Sequence, residues 1–521
     1  MDERLIQALR LLPDRLAWHV LLSGSALILA CVIALPLAVA AYRCRKLRGP
    51  LLGGASLVQT IPSLALLAMF FPLLLGLSNL TERAFGVSFS ALGFLPALLA
   101  LTLYAMLPLL RNGVTALDGV DPAALEAARG VGMTPRQILR LVELPLAAPV
   151  IMAGLRTASV WTIGAATLAT PIGQTTLGDY IFSGLQTENW IDVMVGVAAA
   201  AGLALVVDRL LAMIERGLAV PGGLGRRAVQ LGVAGLAVLA MAAVVPLFMP
   251  VAGSRYVIGA KNFSEQYILA EVLAQRLERA NAQVSRRLNL GSTVAYRALA
   301  EGEIDVYVDY SGTLWANVLG RTDNPGREEM LKELAEALKT RDGVTLLGPL
   351  GFENAYALAM KRDDASRLGI RSMIDLTLVA PSLRFGTDLE FTARPEWASL
   401  QNSYGLNFGQ ITQYQPTFMY RGLQGGDVDV ITAFSSDGRI AADNLVVLSD
   451  PRGALPPYDA VVLISPQRAG DSRLIGALRP FIGRIDADAM RRANLAVDRD
   501  EDKQSPAEAA RGLTSAVGLS R

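Results

Sequence analysis

Six stretches in the first half of this chain are each apolar for long enough to cross a bilayer: near 17–42, 51–78, 91–111, 146–169, 190–214 and 229–251. Crossing the hydrocarbon takes roughly 20 apolar residues in a helix. In lipid every backbone N–H and C=O must be bonded internally, so continuous apolar runs of this length have to be helical. Residues 17–252 are therefore expected to form an all-α polytopic membrane bundle of six spans. From Gly253 onward the apolar runs shorten and charges of both signs are interspersed. The 52% hydrophobic content thus averages two unlike halves, and the first carries the excess.

Basic residues set an expected orientation. Arg43, Arg45, Lys46 and Arg48 follow the first stretch, and Arg216, Arg226 and Arg227 sit between the fifth and sixth. Such clusters are retained in the cytoplasm. Alternation from them puts the segment between the third and fourth stretches inside. The N-terminus and everything after the sixth stretch fall outside. Residues 1–16 mix Asp2, Glu3 and Asp14 with Arg4, Arg10 and Arg15 and lead into too long an apolar run for a cleavable signal. Leu5, Leu9 and Leu12 share a helical face, so this lead-in is read either as a short interfacial helix or as a solvated approach. Cys31 and Cys44 are the two cysteines, one in the first span and one in the basic loop, so no disulfide framework supports the second half.

Residues 126–145, EAARGVGMTPRQILRLVELP, occupy the inside gap between spans three and four. Asp121-Pro122 is a helix start, a capping carboxylate followed by a proline whose missing N–H costs nothing there. Gly130 and Gly132 are expected to break the helix and Thr134-Pro135 to restart it, giving two short helices with a tight bend. The fixed positions Glu126, Ala127, Ala128, Gly132, Val142, Leu144 and Pro145 resemble the cytoplasmic coupling loop of ABC-importer permeases. That resemblance implies a type I importer permease whose loop, 121–145, docks on an ATPase subunit. Gln59-Thr60-Ile61-Pro62-Ser63, expected inside span two, is similar to a stretch in permeases of quaternary-amine uptake systems. Arg156, early in span four, reads as a structural anchor or a gating residue. His19, the single histidine, reads as incidental and excludes any metal site needing two histidines.

The second half, 255–521, follows the last span after MPVAGSR, a tether of about seven residues that reaches only roughly 15 Å as a coil. The pattern predicts strands at 256–259, 304–308 and 428–433 and helices at 264–280 and 327–340. Alternation of this kind points to an α/β fold with ligands at the carboxyl ends of its strands. Five segments, GAKNFSEQYILAEVLAQ (259–275), IDVYVDYSGT (304–313), GFENAYALAM (351–360), FTARPEW (391–397) and DVDVITAFSSDGRI (427–440), are followed by PPYDA (456–460). Together they resemble the two-lobed periplasmic binding proteins for glycine betaine, choline and carnitine, over 256 to about 515.

A trimethylammonium head has no hydrogen to donate, so aromatic faces rather than hydrogen bonds hold it, at about 0.5–2 kcal/mol per ring. The resemblance implies a cage of Tyr310, Tyr356, Phe434 and Tyr458, with Phe434 replacing the family's usual tyrosine. It implies Lys261 and Arg394 as partners of a ligand carboxylate, with Thr313 as a further donor. Arginine suits that task through its planar fork. Asn262 or Ser264 is the alternative to Lys261, and Asp309 is either a cation attractor or an exposed strand-end residue.

The chain has no GxxxxGK[ST] loop, GxSxG, CxxC or HExxH. It is therefore read as no enzyme, a transporter subunit that binds no cofactor itself, with ATP and Mg on a partner ATPase dimer. The expectation is an inner-membrane importer subunit, permease and receptor fused, working as a homodimer on a carboxylated quaternary ammonium compound of the glycine betaine kind and not on nucleic acid. Choline, carnitine or ergothioneine remain alternatives, and a ligand-gated channel or sensor is the alternative of another class.

Overall fold

The computed structural model describes residues 3–86, 89, 91–187, 189–220, 222–248, 255–321, 323–499 and 501–519. The chain divides into two compact units, Met1–Ile181 with Ile191–Pro250, and Phe182–Trp190 with Val251–Arg521. All of the MPVAGSR tether but its last residue lies outside the described residues.

The first unit is helical. The helices up to Phe248 are α1 Glu3–Arg43, α2 Arg45–Thr60, α3 Ser63–Phe85, α4 Phe94–Asp118, α5 Pro122–Gly130, α6 Pro135–Ile138, α7 Leu144–Ala166, α8 Gly178–Gln186, α9 Trp190–Ala219 and α10 Gly223–Phe248, and Phe182–Gln186 of α8 and Trp190 of α9 count with the second unit. Among the described residues, six helical segments are long and apolar enough to cross a membrane: Ala8–Arg43, Ser63–Phe85, Phe94–Asp118, Pro135–Ile172, Trp190–Ala219 and Gly223–Val244. Between lipid-soluble helices the driving force is close packing, and small residues permit it. Ala26, Ala30, Ala34 and Ala38 recur every fourth residue on α1 and are all buried. A Cβ on Gly113 of α4 would come within 2.8 Å of the Ala38 methyl, and one on Gly154 of α7 within 2.6 Å of Asn112.

Three expectations change. Residues 3–16 are no separate helix: they continue into the first span, with Ala8 packed on Leu177 and Tyr180 and its carbonyl accepting the Tyr180 hydroxyl at 2.5 Å. The 51–78 span is two helices, because Pro62 disfavours a helical Ile61. Ile61 is extended (φ −75°, ψ 128°), so Ile61-Pro62 forms the break between α2 and α3, with Gln59 and Thr60 ending α2 and Ser63 starting α3. The polar groups freed there are bonded: Tyr104 Oη donates to Ile61 O, and Gln59 Nε2 donates to Tyr104 O at 3.1 Å. Third, His19 is not incidental. It is fully buried, its Nε2 lies 3.0 Å from Ile163 O, and its Nδ1 accepts Leu177 N–H at 3.3 Å. An Nδ1 that accepts leaves the proton on Nε2, so a neutral ring bridges three segments of the bundle. Arg156, read as an anchor or a gating residue, forks onto Asp208 of α9 at 2.8 and 3.0 Å and reaches Glu215 at 2.7 Å.

The second unit carries two five-stranded sheets. The strands are β1 Arg255–Lys261, β2 Gln283–Leu290, β3 Val306–Tyr310, β4 Thr345–Glu353, β5 Tyr356–Lys361, β6 Arg384–Asp388, β7 Gln410–Tyr414, β8 Val430–Phe434, β9 Leu445–Val447 and β10 Asp459–Ile464. Their orders are β2-β1-β3-β10-β4 and β7-β6-β8-β5-β9. In the first, β1 is parallel to β2 and β3, while β10 runs antiparallel to β3 and β4. In the second, β6 is parallel to β7 and β8, and β5 antiparallel to β8. Each sheet has its own core, one with Ile258, Val308, Val462 and Leu273, the other with Leu358, Phe385, Trp397 and Leu400. The chain passes between the lobes twice, at 354–355 and over 448–458. This is the two-lobed α/β binding fold, and it brings the same strand edge of both sheets together.

Candidate functional site

The facing edges are the carboxyl ends of β1, β3, β6 and β8 and the starts of β5 and β10, where ligands of open α/β sheets bind. One cleft of about 150 Å³ lies there. Its lining includes Lys261, Tyr310, Thr313, Tyr356, Arg394, Phe434 and Tyr458. Every ligand residue expected from sequence therefore reaches a single cleft. Asn262, the alternative to Lys261, also lines it, whereas Ser264 is not on its wall and donates to Asp498 at 2.5 Å.

The rings are placed by the strands. Tyr356 and Phe434 are register partners across β5 and β8, with centroids 5.2 Å apart. Tyr458, just before β10, meets Tyr356 edge-on at 5.7 Å. Gly312, in the turn after β3, makes room for it: a Cβ there would lie 2.7 Å from the Tyr458 ring. Tyr310 stands apart from these three and stacks on Phe263 at 6.2 Å. Phe263 lines the cleft too and was not singled out from sequence. Its place inside the 259–275 segment, one residue before a helix, was the available signal.

The charges differ from the expectation. Lys261 and Arg394 are buried, and each holds a carboxylate of the protein. Lys261 Nζ pairs with Asp309, which is 1% exposed rather than an exposed strand-end residue, and which also accepts from Tyr307 Oη and Tyr310 N–H. Arg394 forks onto buried Glu396 at 3.2 and 3.1 Å and donates to Tyr458 Oη at 3.0 Å. Burial works against its charge, but the hydrogen-bonded carboxylate of Glu396 outweighs that and its pKa moves up. Its Nη1 makes only a 3.6 Å pair with exposed Glu390 and is the donor left over for a ligand.

Three further carboxylates were missed by sequence reasoning. Glu396 accepts from Tyr458 Oη as well as Arg394, so it ties the cage to the cation. Asp388, at the end of β6, accepts at Oδ1 from Glu390 N–H (2.8 Å) and Phe391 N–H (2.9 Å), while its Oδ2 is buried. Burial raises its pKa. Glu265, in the first turn of the helix Ser264–Arg279, lies behind the cage and accepts the Tyr310 hydroxyl at 2.6 Å. Burial raises its pKa too. Tyr310 and Tyr356 sit well above the usual phenol value through burial and the adjacent carboxylates, so both remain neutral rings.

The 121–145 segment forms a projecting turn. Asp121 caps α5 by accepting Ala123 N–H at 2.9 Å. Gly130 stays helical; the break is made by Gly132 alone, whose φ of 80° suits glycine, with Met133 N–H bonding to Ala128 O and Gly132 N–H to Arg129 O. Glu126, Ala127 and Gly132 are exposed, with Val131 at the tip. Thr134 and Gln137 form a reciprocal capping box on α6. The second helix is not short, however: a π turn, Leu139–Glu143, joins it to α7. Pro145 explains the turn, since its ring clashes with the carbonyl four residues back and one extra residue relieves this. Glu143 in that turn is buried and holds Arg43 and Tyr42 at the end of α1.

A bundle with a projecting helical turn, joined to a two-lobed domain with a ring-lined cleft, defines a permease carrying its own receptor. Residues 28–220 match the family described as the binding-protein-dependent transport system inner membrane component. Residues 254–514 match the substrate binding domain of ABC-type glycine betaine transport systems. The chain belongs to the quaternary-amine uptake family of ABC importers, with permease and substrate-binding domain fused on one polypeptide. It is 29% identical over 450 residues to the ergothioneine transport permease/ergothioneine binding protein of Helicobacter pylori (strain G27), covering 84% of this chain and 78% of that one. A choline transport system permease protein of Bacillus subtilis (strain 168) is 44% identical over 208 residues, 40% of this chain and 88% of its own length. A crystal structure of a glycine betaine/carnitine/choline ABC transporter shares 24% identity and a TM-score of 0.45 over 51% of this chain and 100% of its own. The chain is a multi-pass membrane transporter component rather than an enzyme, and nothing in these similarities supports a ligand-gated channel.

Proposed function

We propose that the two lobes close on a quaternary ammonium head held by Tyr310, Tyr356, Phe434 and Tyr458. The observation that carries this reading is the convergence of those four rings with Lys261, Thr313 and Arg394 on one cleft. A carboxylate tail is received by Arg394 Nη1, with Thr313 and Lys261 beside it, which favours a betaine over choline. The relatives named for ergothioneine and choline transport mark the range from which the substrate comes.

The permease works as a pair of these chains on a cytoplasmic ATPase dimer, which binds ATP and Mg. The exposed turn around Glu126, Ala127 and Gly132 docks on the ATPase, and the helix through Leu144 and Pro145 carries its movement into the bundle. The basic clusters at 43–48 and 216–227 orient the bundle, with N-terminus and binding domain outside the cytoplasm. The closed domain delivers its ligand to the permease, and ATP-driven alternating access moves it inward.

The test is calorimetric titration of the full-length protein in lipid nanodiscs with glycine betaine, proline betaine, carnitine, ergothioneine, choline and an uncharged amino acid. Saturable binding of a carboxylated quaternary compound, tighter than choline, is expected. Absence of binding by every quaternary compound would overturn the cage, and tighter binding of choline would overturn the role given to Arg394.

A further inference from the structure

Lys261 and Arg394 are each paired inside the protein, by Asp309 and Glu396. Glu265 differs. It is 3% exposed, and among the described residues it enters no ion pair. Its Oε1 accepts from Tyr310 Oη (2.6 Å) and Asn354 Nδ2 (3.0 Å), its Oε2 from Asn494 Nδ2 (2.8 Å), and the Ser436 hydroxyl lies beside it. All these groups present hydrogens to it. These hydrogen bonds favour the ionised carboxylate, against the burial that raises its pKa. Its position in the first turn of the 16-residue helix Ser264–Arg279 adds the favourable end of the helix dipole. A buried carboxylate with no ion-pair partner among the described residues thus stands directly behind the Tyr310 ring, which has Lys261 Nζ 5.3 Å from its centroid.

Two physical effects follow. A phenol that donates to a carboxylate carries more electron density in its ring, which deepens the attraction of that face for a cation. The charge also acts across the ring in a medium of low dielectric, where Coulomb attraction falls off slowly. The hydrogen bonds reach further than Tyr310. Asn354 lies on the first passage between the lobes, and Asn494 Nδ2 also donates to Ser436 O, just beyond β8 of the second lobe, at 2.9 Å.

We propose that Glu265 is a specificity-determining residue of the cleft, a positioning residue that never touches the ligand and that makes Tyr310 select a permanent positive charge over a neutral group of the same shape. The inference rests on the cage reading above. A merely structural Glu265 would support charged and uncharged ligands alike, and that difference is measurable. The probes are two pairs matched in shape: choline with 3,3-dimethylbutanol, and glycine betaine with 3,3-dimethylbutanoate. Each neutral-headed partner replaces nitrogen by carbon.

Competition binding to the full-length protein in nanodiscs compares wild type with Glu265→Gln and Tyr310→Phe. In Glu265→Gln the charged member of each pair should bind about tenfold less tightly, with the neutral-headed member changed by less than about twofold. Tyr310→Phe keeps the ring and the carboxylate but breaks the link between them, and it should narrow the charged-over-neutral preference in the same direction. It also stands in if Glu265→Gln fails to fold. Equal losses for charged and neutral members would overturn the proposal in favour of a structural role, and so would an unchanged preference in both variants. Failure of both charged probes to bind wild type would overturn the cage reading and this inference with it. Binding of those probes with no shift in preference would sink the inference alone.

Discussion

Arg394 reaches the cleft with a carboxylate already attached, and its chemistry depends on what the pairing leaves over. Its Nε and Nη2 serve Glu396 and Tyr458, so the proposed ligand carboxylate is assigned to Nη1. Lysine keeps the charge but loses the fork. Arg394→Lys is therefore expected to cost a betaine about tenfold in affinity, roughly 1.4 kcal/mol, while choline loses far less. Equal losses in a titration of both would show that Arg394 holds Glu396 and Tyr458 rather than the ligand. Acid should act on Glu265 and Asp388, whose pKa values burial has raised. A bound cation favours their ionised forms, so affinity is full well above those raised values and falls as pH drops through them. Stability of the ligand-free fold moves the opposite way. The folded state takes up these protons before the unfolded chain does, so their burial costs stability at neutral pH and the cost fades as pH falls. Dissociation constants and ligand-free melting temperatures should therefore both rise between pH 7.5 and pH 5, and an affinity that strengthens on acidification would contradict the assignment.

Among the elements, the coupling segment shows how far local chemistry reaches. Asp121-Pro122 and Thr134-Pro135 cap two helices in the way their side chains dictate, because a cap is a contact within four residues. The π turn at 139–143 and the buried Glu143–Arg43 pair are different. They depend on how the segment meets α1, a hundred residues away, and no local pattern announces them. The break at Ile61 was signalled by Pro62 but masked by the apolar run on both sides. Gly132 has the one conformation in the turn that a β-branched residue resists, with φ at 80°. Gly132→Val, or Glu126→Lys on the exposed face of α5, is expected to reduce ATP-driven uptake by about tenfold or more, with ligand affinity changed less than about twofold. Uptake assays in reconstituted vesicles with the ATPase present decide this, and normal uptake would refute the coupling role.

At the scale of the whole molecule, fusion makes receptor and permease one polypeptide, so capture and delivery no longer depend on a diffusing receptor. A tether of about seven residues gives an effective concentration in the millimolar range. Ligand stimulation of ATPase turnover per transporter should then stay constant when the reconstituted complex is diluted about tenfold, without added free receptor. A stimulation that falls with dilution would mean that delivery runs between separate molecules. Much of this organisation was present in the sequence by itself: six spans, the division near residue 253, both helix caps and the identity of seven cleft residues. The spans and the division follow from hydropathy and the caps from turn chemistry, which act over short stretches of chain; the cleft residues followed from the resemblance of five segments to quaternary-amine binding proteins. Only the tertiary structure decided which charges are spent. Asp309 joins Lys261 from a strand 48 residues away, Glu396 gathers both Arg394 and Tyr458, and Glu265 stands behind Tyr310 with no ion-pair partner among the described residues. Whether a buried charge is free to act on a ligand depends on what three-dimensional packing sets beside it, and sequence separation carries no record of that.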